Sequence, residues 1–550
     1  MEAPRFDKYY RYDEMVALLG KLAAEYPTLA QVDVIGQSYE GRDIPALTVT
    51  NADTGAALSK PALYIDANIH GSEVTACTSC LYIAWRLLSG YADEAEIATM
   101  LDTTAFYLIP MVSPDGVEHC LSTPGRVRSG TRLYPHEEEK DGLYPDDVDG
   151  DGRILQMRIE DATGGWKVSE HDDRLMIPRE FRDTLPHTGG PFYRVYTEGS
   201  IRNFDGVEVR SAPAKQGLDF NRNFPSNWRI GSQQGGAGDW PFSEPETRAI
   251  AEFVKAHPNI GGMHSFHTGF EAIIRVPCSE SDDDIPREDV ARLLDIGNYG
   301  KERTGYAMFS YNELYKNIYE AYGDHAAWAY HHLGLLYYCD ELWDMRARGN
   351  PDPMEVNRME KERDHAGLEQ MHLDMLRWTD ETLEGDGFIR WAPFDHPQLG
   401  PVELGGWRPL LGNNSPAECL EETCRNIHDF TFAHAGSLPR VSASVHETES
   451  LGDGVWRISV AVVNGGYLPT SITRRAVDLG VAKQVTATIS LPAGGEIVSG
   501  AAKQELGHLA GYGGRKKAEW IVRLGETATC DVEIHSEKGG ARAVHVACEA

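Results

Sequence analysis

The feature that most constrains the fold is a change of rhythm near residue 437. Before it, short apolar runs alternate with helical stretches: "PALYIDA" at 61–67, "EVTACTSCLYIAWRLL" at 73–88, "TTAFYLIPMV" at 103–112, "EPETRAIAEFVKAH" at 244–257. "IGGMHSFH" and "LGLLYYCDEL" continue the strand pattern. "MEVNRMEKERDHAGLEQMHLDMLRWTDETL" reads as one long charged helix, and "AECLEETCRNIHDFTFAHAG" as the last helix. Short apolar strands between helices imply an α/β fold around a largely buried sheet. After "GSLPRV" the pattern switches to period two, in "VWRISVAVVN", "QVTATISL", "EWIVRL" and "CDVEIHS", with turn residues between and no evident helix. That region reads as a β-sandwich of roughly 110 residues.

Charge and composition exclude some partners. Eighty-four acidic against 52 basic residues give a formal net charge of -32. Nucleic acid and anionic membranes reward clustered Lys and Arg, so neither is expected as a partner. No apolar run reaches the 18 residues of a membrane-spanning helix. The first twenty residues lack the basic and apolar regions of a secretory signal. Nine cysteines form no regular framework, and the CxxC of Cys77 and Cys80 has no second copy. Small buried hydrophobes in a reducing cytoplasm are the expectation.

Four short segments carry chemistry. His70 and Glu73 stand three apart where the strand "LYIDANIH" ends, and ligands of open α/β sheets bind beyond the carboxyl ends of strands. Two ligands do not make a catalytic zinc site, which needs three and an open position. "GGMHSFHTGF" offers His264 or His267; on a strand they point to opposite faces, so one of the two can reach the site. "GLDFNRNFPSNW" places Asn221, Arg222 and Asn223 among turn residues, and an arginine fork beside amides suits a carboxylate. "YYCDELW" ends a strand on Glu341, with Asp340 on the opposite face; a carboxylate there can act as a general base.

In this order, HxxE, NRN, HSF and a strand-end acid resemble the zinc carboxypeptidases typified by carboxypeptidase A, over about residues 8–435. The resemblance implies a mixed central sheet flanked by helices. It implies one zinc at His70, Glu73 and His264, with Glu341 as the base. Asn221 and Arg222 would bind the free C-terminus of a peptide substrate. Tyr319, 22 positions before Glu341, matches the family's mobile tyrosine. Of Arg126, Arg128 and Arg132, Arg128 is chosen as the carbonyl-polarising arginine. The domain expectation is a catalytic unit over 1–437, interrupted by insertions near 130–215 and 345–412, then an accessory β-sandwich over 438–550.

Departures from the family pattern bear on substrate. Ser72 stands where digestive members often carry arginine, and Phe266 where tyrosine is usual. Ala326, 15 positions before Glu341, falls where basic-specific members carry an acid, and Arg275 could project into the same pocket. Neutral or acidic C-terminal residues are therefore expected over basic ones. Within the first insertion, Asp147, Asp149 and Asp151 begin like a calcium loop, but its twelfth position is Arg158 rather than Glu; a small structural calcium site is an open expectation. Two rivals share the ligand set or the fold: a zinc amidohydrolase acting on small acylated amino acids, and a non-catalytic binding protein. Oligomeric state is not legible in the sequence.

Overall fold

The computed structural model describes residues 3–185, 189–524 and 527–549. Eight strands form the central sheet: β1 Ala30–Gln37, β2 Asp43–Val49, β3 Ala62–Ala67, β4 Ala105–Ile109, β5 Ile260–His267, β6 Glu271–Arg275, β7 Ala307–Ser310 and β8 Leu336–Leu342. Their order is β1-β2-β4-β3-β5-β8-β6-β7. The centre is parallel, β4 with β3, β3 with β5 and β5 with β8, while β1, β2 and β6 add antiparallel pairings. Every residue of β3, β4 and β5 is buried, as a sheet covered by helices on both faces requires.

The parallel register sets the two faces. His264 lies opposite Tyr338, and His267 opposite Glu341. Ser265 lies between Asp66 on one side and Cys339 on the other. Because successive side chains alternate, Asp66, Ser265, His267, Cys339 and Glu341 share one face. His264, Tyr338 and Asp340 share the other.

Two helical expectations change. The helix after β3 begins at Thr75, not at Glu73, so Glu73 sits in the preceding turn. The long charged helix is two helices, Pro353–Glu362 and His365–Thr382. Arg363 breaks it in the left-handed region (φ 56°), and Asp364 caps the second helix by accepting from the Gly367 amide.

The insertions meet each other. Strands Gln156–Glu160 and Tyr193–Thr197 of the first and Phe388–His396 and Gly400–Trp407 of the second lie in one six-stranded sheet. Leu404 pairs with Met157 across the seam, over a small core of Met157, Val402 and Leu404.

After residue 440 the chain forms two four-stranded antiparallel sheets around Trp456, Ile458, Val460, Trp520, Val532 and Ile534. It also contains one short helix, Arg474–Asp478, which the period-two pattern does not announce. This unit is fastened to the first. Leu468 and Ile472 are buried in the main core. Asp289 accepts hydrogen bonds from the Arg474 and Arg475 amides, and Lys538 Nζ donates to the Ile260 carbonyl. Among the described residues, no helix is long and apolar enough to cross a membrane, and all nine cysteines are unpaired.

Candidate metal centre and active site

The loop after β3 is built to turn tightly. Asn68 adopts φ 56° and its side-chain amide donates to the carbonyls of His70 and Glu73. Gly71 is required by packing: a Cβ there would lie 2.6 Å from the Gly116 backbone and 2.8 Å from the Ser129 carbonyl oxygen. The Gly71 amide donates to the Arg128 carbonyl, which fixes the arginine segment against the His70–Glu73 turn.

Three donors converge there. His70 Nδ1 is 2.9 Å from Glu73 Oε1, His267 Nδ1 is 3.2 Å from Glu73 Oε2, and the two Nδ1 atoms are 3.1 Å apart. All three side chains are buried. Two ring nitrogens facing each other and one carboxylate fit a metal: tetrahedral Zn–N bonds of about 2.05 Å would separate two nitrogens by roughly 3.3 Å. The outer nitrogens are held as metal-binding histidines usually are. His70 Nε2 is 3.0 Å from Asp219 Oδ1. His267 Nε2 is 3.2 Å from Ser265 Oγ, whose hydroxyl donates to Asp66 Oδ1 at 2.5 Å. Burial keeps the His267 ring below its ordinary pKa, which favours the neutral form a metal needs.

His264 is not among these donors, which corrects the expected ligand set. It points to the opposite face of β5, where it is fully buried, with Nδ1 2.6 Å from Asp340 Oδ2 and Nε2 2.8 Å from His434 Nδ1. With Asp340 ionised, His264 donates from Nδ1 and accepts from His434. The HSF segment points to His264, but the strand runs three residues beyond that histidine and ends on His267. The matching phenylalanine, Phe266, is likewise buried on the far face.

Glu341 lies on the same face as His267, and one of its carboxylate oxygens, a His267 ring nitrogen and Cys339 Sγ all lie within 4.8 Å of one another. Burial, followed by the negative charge of Glu73, holds the Glu341 carboxyl well above its ordinary pKa. Burial also acts to raise Glu73, but the charges of His70 and Arg128 outweigh it and leave that carboxyl well below the usual range. Two carboxylates of one site are thus driven apart, one ionised and one able to take a proton.

Of the three candidate arginines, Arg128 reaches the site: NH1 donates to Glu73 Oε1 at 2.6 Å and Nε to Asp219 Oδ2 at 3.3 Å. Arg132 is paired with Glu244, and Arg126 donates to Asn413. Asn221 and Arg222 are buried in a short turn capped by Asp219, which accepts from the Asn221 amide. Asn221 Oδ1 accepts from the His325 amide. Arg222 NH2 donates to the Tyr319 hydroxyl at 3.3 Å, and Tyr319 is 44% exposed at the mouth. The structure therefore brings together His70, Glu73, Glu341, Arg128, Asn221, Arg222 and Tyr319. It adds His267 and Asp219, which the expected set lacked. Asp219 stands two residues before Asn221 in "GLDFNRN", and no spacing marks it out.

Arg275 does not line this site. It lies opposite Tyr338 on the far face and pairs bidentately with Asp282. Ala326 is fully buried at the start of helix His325–Leu333. Its neighbour Asp324 caps that helix and accepts from Ala327 N, Tyr315 OH and Cys278 Sγ. In the acidic loop, Asp147 accepts from the amides of Gly150, Asp151 and Gly152. Arg158, at the twelfth position, belongs to the insertion sheet and pairs with Glu403. No calcium is assigned to this turn.

A family model described as zinc carboxypeptidase matches residues 15–148 and 195–360. The chain belongs to that family. A second model, a domain of unknown function, matches residues 440–547. A zinc carboxypeptidase of Saccharothrix mutabilis subsp. capreolus is 31% identical over 121 residues, 22% of this chain and 27% of that protein. Carboxypeptidase A1 of Mus musculus is 22% identical over 356 residues, 63% of this chain and 65% of that one. The chain thus spans less than two thirds of either relative. The crystal structure of thrombin activatable fibrinolysis inhibitor aligns with a TM-score of 0.43 at 17% identity, covering 79% of this chain and 77% of the other.

Proposed function

We propose that the protein is a zinc-dependent carboxypeptidase that removes the last residue of a peptide. The observation that carries this is the convergence of His70, Glu73 and His267 on one point, with Glu341 on the same face and the Asn221–Arg222 turn joined to it through Asp219. Zinc held by His70, Glu73 and His267 would supply Lewis acidity toward the scissile carbonyl. Arg222 and Asn221 bind the free C-terminal carboxylate by charge-assisted hydrogen bonds. Arg128 donates to the oxygen on which negative charge develops. Glu341 takes a proton from the attacking water and returns it to the leaving amine. Tyr319, on the rim and hydrogen-bonded to Arg222, covers the bound terminus.

The chemistry at the pocket favours a neutral leaving residue. Ala326 brings no charge, Arg275 is on the other face, and the Asp324 carboxylate already accepts three hydrogen bonds. The test is release of the C-terminal amino acid by zinc-loaded protein from a free-acid peptide and from its C-terminal amide. The free acid is cleaved and the amide resists; equal cleavage of both would rule out carboxylate recognition. Faster turnover of a single acylated amino acid than of any peptide would favour a small-substrate amidohydrolase.

A further inference from the structure

A cavity of about 400 Å³ opens where the two insertions meet the catalytic unit. Its walls include Arg126 from the segment leading to Arg128, Leu155 and Gln156 from the first insertion, and Trp407, Arg408 and Leu410 from the second. Among the described residues, no aspartate or glutamate lines it, although the chain carries 84 acidic residues. Its charged lining is thus two arginines, and a cleft lined by one sign of charge focuses its field.

Arg126 is oriented without being neutralised. Its NH2 donates to Asn413 Oδ1 at 2.8 Å, and among the described residues no carboxylate forms an ion pair with it. Asn413 Nδ2 approaches Thr268 Oγ1 at 3.4 Å, and the Thr268 amide donates to Glu73 Oε2 at 3.1 Å. Arg126 is therefore tied through the Asn413 side chain and then Thr268, whose backbone amide makes the last link, to a candidate metal ligand. Arg128 stands between two routes: through Asp219 to the turn of Arg222, and through Glu73, Thr268 and Asn413 to Arg126. If the terminal carboxylate occupies the first, the chain upstream of the scissile bond leaves toward the second. Arg408 is paired with Asp386, which is 68% exposed, a pair that water and salt weaken.

We propose that this cavity is a subsite for an acidic side chain of the peptide, upstream of the bond to be cleaved, with Arg126 as its charged partner. The inference rests on the peptidase reading above. The carboxylate would accept charge-assisted hydrogen bonds from Arg126, and Trp407 and Leu410 would cover its aliphatic stem.

The test separates binding from turnover. Zinc-loaded Glu341→Gln protein is titrated calorimetrically with hexapeptides that share one C-terminal residue. They carry Glu, Gln or Lys at each of the three positions before the scissile bond. At one position Glu binds about 10-fold tighter than Gln, the range of one charge-assisted hydrogen bond, and Lys binds weakest. Arg126→Gln, in the same background and with an unchanged thermal melt, brings the Glu/Gln ratio to about 1 and leaves the all-Gln peptide unaffected. Arg408→Gln lowers the ratio less. A ratio preserved in Arg126→Gln, no preference for Glu at any position, or no binding of any peptide overturns the proposal. Failure of the wild type to release amino acids would count against the peptidase reading, while the binding ratio still decides the subsite.

Discussion

The two histidines of β5 give the sharpest test of the site, because the register assigns them opposite roles. His267→Ala removes one of three converging donors. Loss of an outer-shell partner typically costs 10–100-fold in metal affinity, so loss of a direct donor should cost at least ~100-fold. It leaves the far face intact. His264→Ala does the reverse. Among the described residues, Asp340 Oδ1 has no partner, and His264 Nδ1 is paired with Oδ2. His434 Nε2 likewise has no partner among the described residues, and its Nδ1 bonds to His264. Removing His264 therefore strands a buried carboxylate and a buried imidazole together. Breaking a buried pair from one side costs about 3–5 kcal/mol, against a typical total stability of about 5–15 kcal/mol.

The assay pairs thermal melts with zinc content per folded chain and competition against a chelator. His267→Ala should melt near the wild-type apoprotein and hold little zinc. His264→Ala should melt far lower, and His264→Gln, which can still donate to Asp340, should recover part of the loss and bind zinc with near wild-type affinity. A folded His264→Gln protein without zinc, or full zinc occupancy in His267→Ala, would refute the assignment of the two faces.

Other outcomes follow from the same geometry. Glu341→Gln should keep its zinc while kcat falls at least ~10²-fold. In the wild type the raised Glu341 pKa means the base is protonated and inactive at low pH, so the acid limb of kcat/KM should lie above the ~4.3 of free glutamate. A limb at or below that value would count against Glu341 as the base. Asp219→Asn keeps the shape beside His70 but removes the charge that orients it, so zinc affinity should drop ~10–100-fold by chelator competition; unchanged affinity would show that the contact is incidental. Peptides ending in Leu should be cleaved faster than otherwise identical ones ending in Lys or Glu, and a clear preference for Lys would mean that Asp324 is available to the substrate. Ending the chain after Arg440 should destabilise the catalytic unit rather than free it. Leu468 and Ile472, fully buried in the main core, contribute about 1.5–3 kcal/mol each. A truncated protein melting cooperatively within a few degrees of the full chain would show that the sandwich is separable.

The layers of the fold were legible because burial writes them into local pattern. The apolar runs of β3, β4, β5 and β8 are short and bounded, and the strand Val455–Asn464 alternates over most of its length. What pattern does not carry is pairing between distant segments. Each insertion reads as an excursion with its own turns; that they share a sheet depends on Leu404 meeting Met157, 247 positions apart. The docking of Leu468, Ile472 and the short helix at 474–478 is hidden for the same reason. The break at Arg363 is invisible because arginine is a good helix former and carries no signal for a left-handed turn.

Within the site, the fold brings together residues that are near one another in sequence, such as His70 and Glu73, whereas the choice between two histidines depends on a strand register. Alternation alone says that His264 and His267 cannot both face the site, and that Asp340 and Glu341 cannot both face it. It does not say which histidine shares a face with which acid. In the parallel pair of β5 and β8 that link is fixed by where each strand ends: His267 closes β5 and lies directly opposite Glu341. His264 lies three residues deeper, where a buried histidine can only be satisfied by other buried groups, and Asp340 and His434 are those groups. Since ligands collect beyond the carboxyl ends of parallel strands, the last residue of a strand is a better metal candidate than an interior one. The same rule places His70 just past the end of β3 and Glu341 next to the end of β8. Three strand ends thus converge on one point, and the donor set follows from strand length more directly than from the local histidine-serine pair.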